Sequence, residues 1–147
     1  MLGVDTLFWA SLLFLYAHAR RGMTAEWPDI IASAVAGPVL PLTAVALVGA
    51  AWLARSRVPR AFLCLVASLA VWGFFWSRSA ASGLTPRGGR YGMVVYLTTV
   101  LYAAHVVGAL VAAGVSLGKS TMSPFLGRFL AFLTGVGCLV VLLVFLW

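Results

Sequence analysis

Apolar positions along the chain fall into five long runs separated by short polar stretches. The runs cover residues 2–19, 30–54, 61–76, 91–117 and 125–147. A helix that crosses a bilayer needs about 20 mainly apolar residues. The pattern therefore predicts an all-α fold, a polytopic membrane helical bundle of about five transmembrane helices that forms a single domain over residues 1–147.

The second and third runs are the least regular. Gly37, Pro38 and Pro41 interrupt the second run, so its early part is expected to bend or to enter the membrane only after Pro41. The third run is short for a full crossing, and a polar loop from Ser77 to Arg90 is predicted to follow it. Aromatic residues at the predicted span ends support the count of five, as an interfacial aromatic belt requires. They are Trp27, Trp52, Trp76, Tyr91 and Trp147.

Composition agrees with a location in lipid. The chain is 63% hydrophobic and 9% charged, with a mean hydropathy of +1.08, whereas an average soluble domain is about 25% charged. The net charge of +7 comes from basic residues in loops and at helix ends, where they can meet anionic lipid headgroups. We therefore predict membrane-surface contacts and no binding of nucleic acid.

The distribution of basic residues between the two membrane faces leaves the topology undecided. With five spans, one face would hold Arg55, Arg57, Arg60, Lys119 and Arg128, and the other Arg20, Arg21, Arg78, Arg87 and Arg90. Equal numbers give no positive-inside bias.

Carboxylates are absent from the middle of every predicted span. Asp5, Glu26 and Asp29 all fall at a terminus or in a loop, which argues against a proton-coupled transporter of the small multidrug type. A small transporter or channel stays open as an alternative, although hydroxyl groups that could line a route are few and scattered. They are Thr43, Ser68, Thr98, Thr99, Tyr102 and Thr134.

His105 is the one ionisable residue near the middle of a predicted span. The favoured interpretation is a neutral imidazole that hydrogen-bonds a neighbouring helix, and the alternative is a ligand or a member of a proton relay. His18 lies nearer the surface, whereas a haem held by both histidines would need them at similar depth. A membrane-anchored cytochrome is therefore a weaker alternative.

Small residues at a spacing of four predict a smooth stripe on the fourth span. Ala104, Gly108 and Ala112 would lie on one face of the helix and let another backbone approach closely.

Three short motifs, taken in order, resemble segments of cytochrome c oxidase subunit III, the non-catalytic third core subunit of haem-copper oxidases. Glu26-Trp27-Pro28 resembles the family's Glu-Trp-Pro-Pro segment, and Leu40-Pro41-Leu42 resembles the start of its Val-Pro-Leu-Leu-Asn-Thr helix. The third motif resembles the family's Tyr-Gly, Thr-Gly, His-Gly-Leu-His-Val and Gly series. Its residues are Tyr91, Gly92, Tyr96, Leu97, Thr98, Thr99, His105, Val106 and Gly108.

The resemblance implies the short five-helix form of subunit III, which stabilises an oxidase complex and holds lipid beside the catalytic subunit. It implies no catalytic, cofactor-binding or metal-binding residue in this chain, since haem and copper belong to the partner subunits I and II. It also implies the bacterial cytoplasmic membrane with the N-terminus on the cytoplasmic side. Lys119, fourteen residues after His105, stands where the family has a phosphate-holding arginine. The implied lipid or subunit contacts are Lys119, His105, Tyr102, Thr99, Ala104, Gly108, Ala112 and Trp27.

Several positions depart from the family pattern. Leu12 follows Ser11 where the family has a glutamate, Tyr102 replaces the first histidine, and Ala44 with Val45 replaces the Asn-Thr pair. These changes argue against a role in proton uptake and favour a scaffold that holds lipid and partners. The electron donor, the haem types and the acceptor, whether oxygen or nitric oxide, are properties of other chains.

Overall fold

The computed structural model describes residues 6–7, 9–12, 14, 17–18, 39–87, 90–119 and 121–146, and within these ranges every regular element is a helix. The prediction of an all-α fold is confirmed. The long helices are α1 (Val39–Leu53), α2 (Val58–Ala81), α3 (Arg90–Val115) and α4 (Pro124–Val141), and a π-helical stretch, Leu142–Leu146, continues α4. The described residues from 6 to 18 are also helical and are called the N-terminal segment below.

The four long helices pack as a closed ring. α1 contacts α2 and α4, and α3 contacts α2 and α4. Short connections make neighbouring helices antiparallel, so the bundle runs up and down in chain order. Its centre is filled by fully buried aliphatic side chains, among them Val48 of α1, Leu65 of α2, Val106 of α3 and Leu133 of α4.

The outer surface of the bundle is also apolar. Large side chains on three different helices, such as Leu63, Val111 and Phe125, are more than half exposed. Helices that are apolar on all sides lie in a large core or in a membrane. In the described part of the chain, three stretches are long and apolar enough to cross a membrane: Val58–Ala81, Gly92–Val115 and Pro124–Val144.

The observed helix bounds match the prediction at most ends. α1 ends at Leu53, one residue before the predicted end, and α3 begins and ends within two residues of the fourth run. α4 begins one residue before the fifth run, and its π-helical continuation extends to Leu146. Ser123 marks the start of α4, because its hydroxyl accepts a hydrogen bond from the Leu126 backbone N–H and Pro124 occupies the first turn.

The prediction for the third span, residues 61–76, was too short. The observed helix α2 has 24 residues and includes part of the predicted polar loop. Ser77 stays helical because its hydroxyl donates to the Phe74 carbonyl. The helix ends where Gly83 adopts a left-handed φ of 86°. The Gly83 and Leu84 N–H groups then bond the Ala80 and Ser79 carbonyls, which is the Schellman arrangement.

Gly92 explains how the loop between α2 and α3 can lie so close to α3. A Cβ atom at this position would collide with the backbone carbonyl oxygen of Thr85. Only glycine leaves room for that carbonyl. Gly92 thus has a structural reason in this chain.

Candidate functional site

Tyr102 occupies the centre of the bundle and is fully buried. Its ring packs edge-on against Trp9 of the N-terminal segment at 6.4 Å between centroids, and it forms a tilted contact with Trp72 of α2 at 5.7 Å. A Cβ atom at Gly137 of α4 would lie 2.7 Å from its hydroxyl oxygen and 2.6 Å from Cγ2 of Val45 on α1. The N-terminal segment and all four long helices therefore meet around this one residue of α3.

Two polar atoms in this core have no hydrogen-bond partner in the described structure. They are the hydroxyl of Tyr102 and the indole N–H of Trp72. Burial of an unpaired polar group costs about 1–3 kcal/mol. The aromatic core therefore holds the helices by packing, and its Tyr102 hydroxyl contributes no hydrogen bond.

Replacement of Tyr102 by phenylalanine should leave the free energy of unfolding unchanged or raise it by about 1 kcal/mol, because an unsatisfied buried hydroxyl is removed. Tyr96→Phe is the matched control on the same helix. The Tyr96 hydroxyl donates to the Trp76 carbonyl at 3.2 Å, so its loss should cost about 1 kcal/mol. Unfolding in mixed detergent micelles, followed by circular dichroism, measures both. A larger loss in Tyr102→Phe than in Tyr96→Phe would contradict this assignment.

His105 bonds its own helix, which differs from the prediction of a bond to a neighbouring one. Its Nδ1 lies 2.7 Å from the Leu101 carbonyl oxygen, and because a carbonyl only accepts, Nδ1 carries the proton. The ring contacts neighbouring elements through its faces, at 5.5 Å from the Trp9 centroid and 6.5 Å from that of Phe129. An i−4 carbonyl is available to a polar side chain in any helix, which is why the sequence could not choose between the partners.

The surroundings of His105 do not pair it with His18. Trp9 is the ring of the N-terminal segment that stands against His105, whereas His18 lies nine residues further on and is exposed. Among the residues that the structure describes, no three His, Cys, Asp or Glu side chains come together as metal ligands.

Serine and threonine hydroxyls within the helices, unlike the Tyr102 hydroxyl, donate to backbone carbonyls. Ser68 bonds the Ala44 carbonyl and so joins α2 to α1. Thr99 bonds the Val95 carbonyl of its own helix and also accepts the Trp76 indole N–H at 3.0 Å, which joins α2 to α3. Thr43, Thr98 and Thr134 bond carbonyls four residues earlier. Ser68 and Thr99 therefore join helices, whereas the other three threonines bond only within their own helix.

The predicted small-residue stripe lies on the outside of the bundle. Ala104, Gly108 and Ala112 are all exposed, and a Cβ atom at Gly108 would meet nothing within 4 Å. The four long helices therefore do not use the stripe to pack against each other. It belongs to an outward apolar face of α3 that includes Val100 and Val111.

One end of the bundle is strongly basic. The alternation of the helices brings the α1–α2 and α3–α4 junctions together, with Arg55, Arg57, Arg60, Lys119 and Arg128. All three carboxylate side chains of the sequence lie outside the described residues, as does Trp27. Lys119 is exposed in the turn after α3.

A cavity of about 560 Å³ opens at this basic end, between the last turn of α1 and the first turns of α4. Trp52, Arg55, Ser123 and Arg128 are among the residues that line it. The Arg55 guanidinium lies over the Trp52 ring at 5.5 Å and donates to the Trp52 carbonyl at 3.4 Å. The sequence predicted Trp52 as an interfacial residue and placed both arginines on one membrane face, but nothing in it indicated that they share a cavity.

Comparison with known proteins yields no relative. No protein-family model matches the sequence, and no curated protein matches it either. The resemblance to subunit III rests on the order and spacing of the three motifs.

Proposed function

We propose that this chain is a non-catalytic, subunit III-like component of a respiratory haem-copper oxidase, which stabilises the complex and holds phospholipid beside the catalytic subunit. The observation that carries the proposal is the outward face of α3. This helix contains the longest motif series, and its small residues Ala104, Gly108 and Ala112 are left exposed by the chain's own bundle.

One face of α3 packs inside the bundle, and the opposite face is exposed. Tyr102, Val106 and Ala109 point into the bundle and are buried, whereas the exposed face presents Gly108 and Ala104 between larger aliphatic side chains. Helices in lipid associate by close van der Waals contact, because lipid removes the hydrophobic driving force between them. A face with small residues at its centre allows a partner helix to approach closely, as the docking of subunit I would require.

The remaining parts of the proposal concern the partners and the membrane. Haem and copper are assigned to subunits I and II, with no cofactor in this chain. The location is the bacterial cytoplasmic membrane with the N-terminus in the cytoplasm, an orientation taken from the resemblance, which would place the five clustered basic residues on the cytoplasmic side.

Purification of the tagged chain from its native membrane tests the proposal. We expect a large haem-containing subunit to co-purify in mild detergent, identified by mass spectrometry and by its haem absorbance. Recovery of a haem-free homo-oligomer without such a partner would contradict it, and solute flux by the chain alone in proteoliposomes would favour a transporter instead.

Gly108→Leu tests the proposed docking face. The leucine should fold, since nothing lies near the added Cβ, but it should reduce the recovered haem subunit about tenfold because the partner helix can no longer approach. Gly73→Leu is the control, since Gly73 is exposed on α2 and its Cβ would also meet nothing within 4 Å. Equal recovery with both variants would show that this face of α3 binds no partner.

A further inference from the structure

We propose that the chain binds one anionic phospholipid, with its phosphate between Arg55 and Arg128 and one acyl chain in a groove along α4. This inference rests on the proposed function only in placing the chain in a bilayer. It names a lipid site different from Lys119, the residue to which the resemblance points.

The headgroup end of the site is the cavity at the α1–α4 junction. Arg55 and Arg128 both line it, and guanidinium groups bind phosphate through paired, charge-assisted hydrogen bonds. Trp52 lies beside Arg55, as expected for an aromatic ring at the level of lipid headgroups. The two guanidinium groups in its lining give the cavity positive charge that suits an anion.

The acyl-chain end is a second cavity of about 310 Å³ between α4 and the N-terminal segment. Its walls include Trp9, Ala10, Phe132, Gly135 and Leu139. The lining is almost wholly apolar, and Gly135 forms an open floor because no atom lies within 4 Å of the position of its missing Cβ. Such a groove fits a hydrocarbon chain.

The two cavities meet on one face of α4. Ala131 lines both of them. Arg128, Ala131, Gly135 and Leu139 are spaced by three, four and four residues, which places them on one side of a helix.

The length of this face matches one leaflet. Eleven residues separate Arg128 from Leu139, and a helix rises about 1.5 Å per residue, so the face is about 16 Å long. The hydrocarbon core of a bilayer is about 30 Å thick, and half of it is about 15 Å. A phospholipid with its phosphate at Arg128 would therefore extend one acyl chain to the bilayer centre, beside Trp9. A free phosphate ion would fill only the headgroup cavity, which is why we commit to a lipid.

Native mass spectrometry of the full chain, purified alone in detergent, tests the site. The probes are dioleoylphosphatidylglycerol, dioleoylphosphatidylcholine and inorganic phosphate. We expect one molecule of the phosphatidylglycerol to bind about tenfold more tightly than the phosphatidylcholine, as one additional charge-assisted interaction would give, and inorganic phosphate not to be retained. Arg128→Gln should abolish the preference for the anionic lipid, whereas Arg60→Gln, which removes a charge from the same end outside the cavity, should preserve it.

Gly135→Leu tests the groove separately from the charge. The leucine would fill the floor and should weaken binding of both lipids about tenfold, whereas Gly73→Leu on α2 should change neither. Gel filtration and circular dichroism establish that each variant is folded. Because the chain is tested alone, the result does not depend on an oxidase partner.

Several results would overturn the inference. Equal affinity for the two lipids would show that the cavity does not select an anionic headgroup. Equal effects of Arg60→Gln and Arg128→Gln would indicate a diffuse basic surface. Loss of the preference in Lys119→Gln alone would move the headgroup to the end of α3. Retention of inorganic phosphate as tightly as lipid, or unchanged lipid binding in Gly135→Leu, would show that the groove along α4 binds no acyl chain.

Discussion

Gly137→Ala should lower the free energy of unfolding by about 3 kcal/mol, at the upper end of the cost of overpacking a core. The new methyl group would lie 2.6 Å from Val45 Cγ2 and 2.7 Å from the Tyr102 hydroxyl oxygen. Neither neighbour can yield easily. Val45 is β-branched and buried in α1, so its χ1 angle is restricted, and the Tyr102 ring is enclosed by Trp9 and Trp72.

Gly135→Ala is the control for this prediction. Gly135 lies two residues away on the same helix, and its added Cβ would meet nothing within 4 Å. Because alanine favours helix over glycine by about 1 kcal/mol, this variant should be equally or more stable. The denaturing-detergent titration, read by circular dichroism, measures both. Equal losses would show that the contact of α4 with Val45 and Tyr102 is not tight.

A double variant, Gly137→Ala with Tyr102→Phe, tests which neighbour the new methyl group clashes with. Adding Tyr102→Phe removes the hydroxyl oxygen that the new methyl group would meet. The pair should therefore be more stable than the sum of the single changes by about 1 kcal/mol, which is the coupling expected for residues in contact. Strict additivity would assign the clash to Val45 and to the ring carbon Cζ of residue 102, which phenylalanine retains.

Trp72→Ala should cost about 3 kcal/mol, because it leaves a cavity where α2 faces the centre of the bundle. Trp72 is fully buried, and its ring lies within 6.2 Å of the ring centroids of Phe75, Trp76 and Tyr102. Truncation of a tryptophan in a soluble core costs about 3–5 kcal/mol. We expect the lower end, since lipid reduces the transfer contribution and leaves mainly the lost packing contacts.

Phe74→Ala provides the comparison for Trp72→Ala. Phe74 is an aromatic residue of the same helix, two positions away, and its side chain is 55% exposed. Its truncation opens no cavity, so the unfolding free energy should change by about 0.5 kcal/mol or less. A similar loss in both variants would mean that α2 does not present Trp72 to the core in the way described above.

Hydropathy predicted the helices well because length and apolar content are local properties of the sequence. The end of α2 was missed because Ser77 and Arg78 are polar, yet a serine hydroxyl can bond a carbonyl within the helix and remain helical. The actual stop depends on the left-handed conformation of Gly83, and one glycine in a loop that also contains Gly88 and Gly89 does not reveal which one ends the helix.

The candidate site was harder to predict, since it depends on which side of each helix faces inward. α3 is apolar on nearly every side, so its periodicity does not separate the face of Tyr102 from that of Gly108. The cavity at the basic end joins Arg55 with Arg128, which are far apart in sequence. Only the closure of the helix ring brings these two residues together.

The closed ring also bears on how the protein is made. α4 completes the ring by packing against both α3 and α1, and chains are synthesised from the N-terminus. Until α4 enters the membrane, Val45 and Tyr102 lack the helix that covers them at Gly137. Insertion of α4 is therefore the step in biogenesis at which the bundle acquires its finished core, and earlier nascent chains would present an incomplete surface to the membrane-insertion and quality-control machinery.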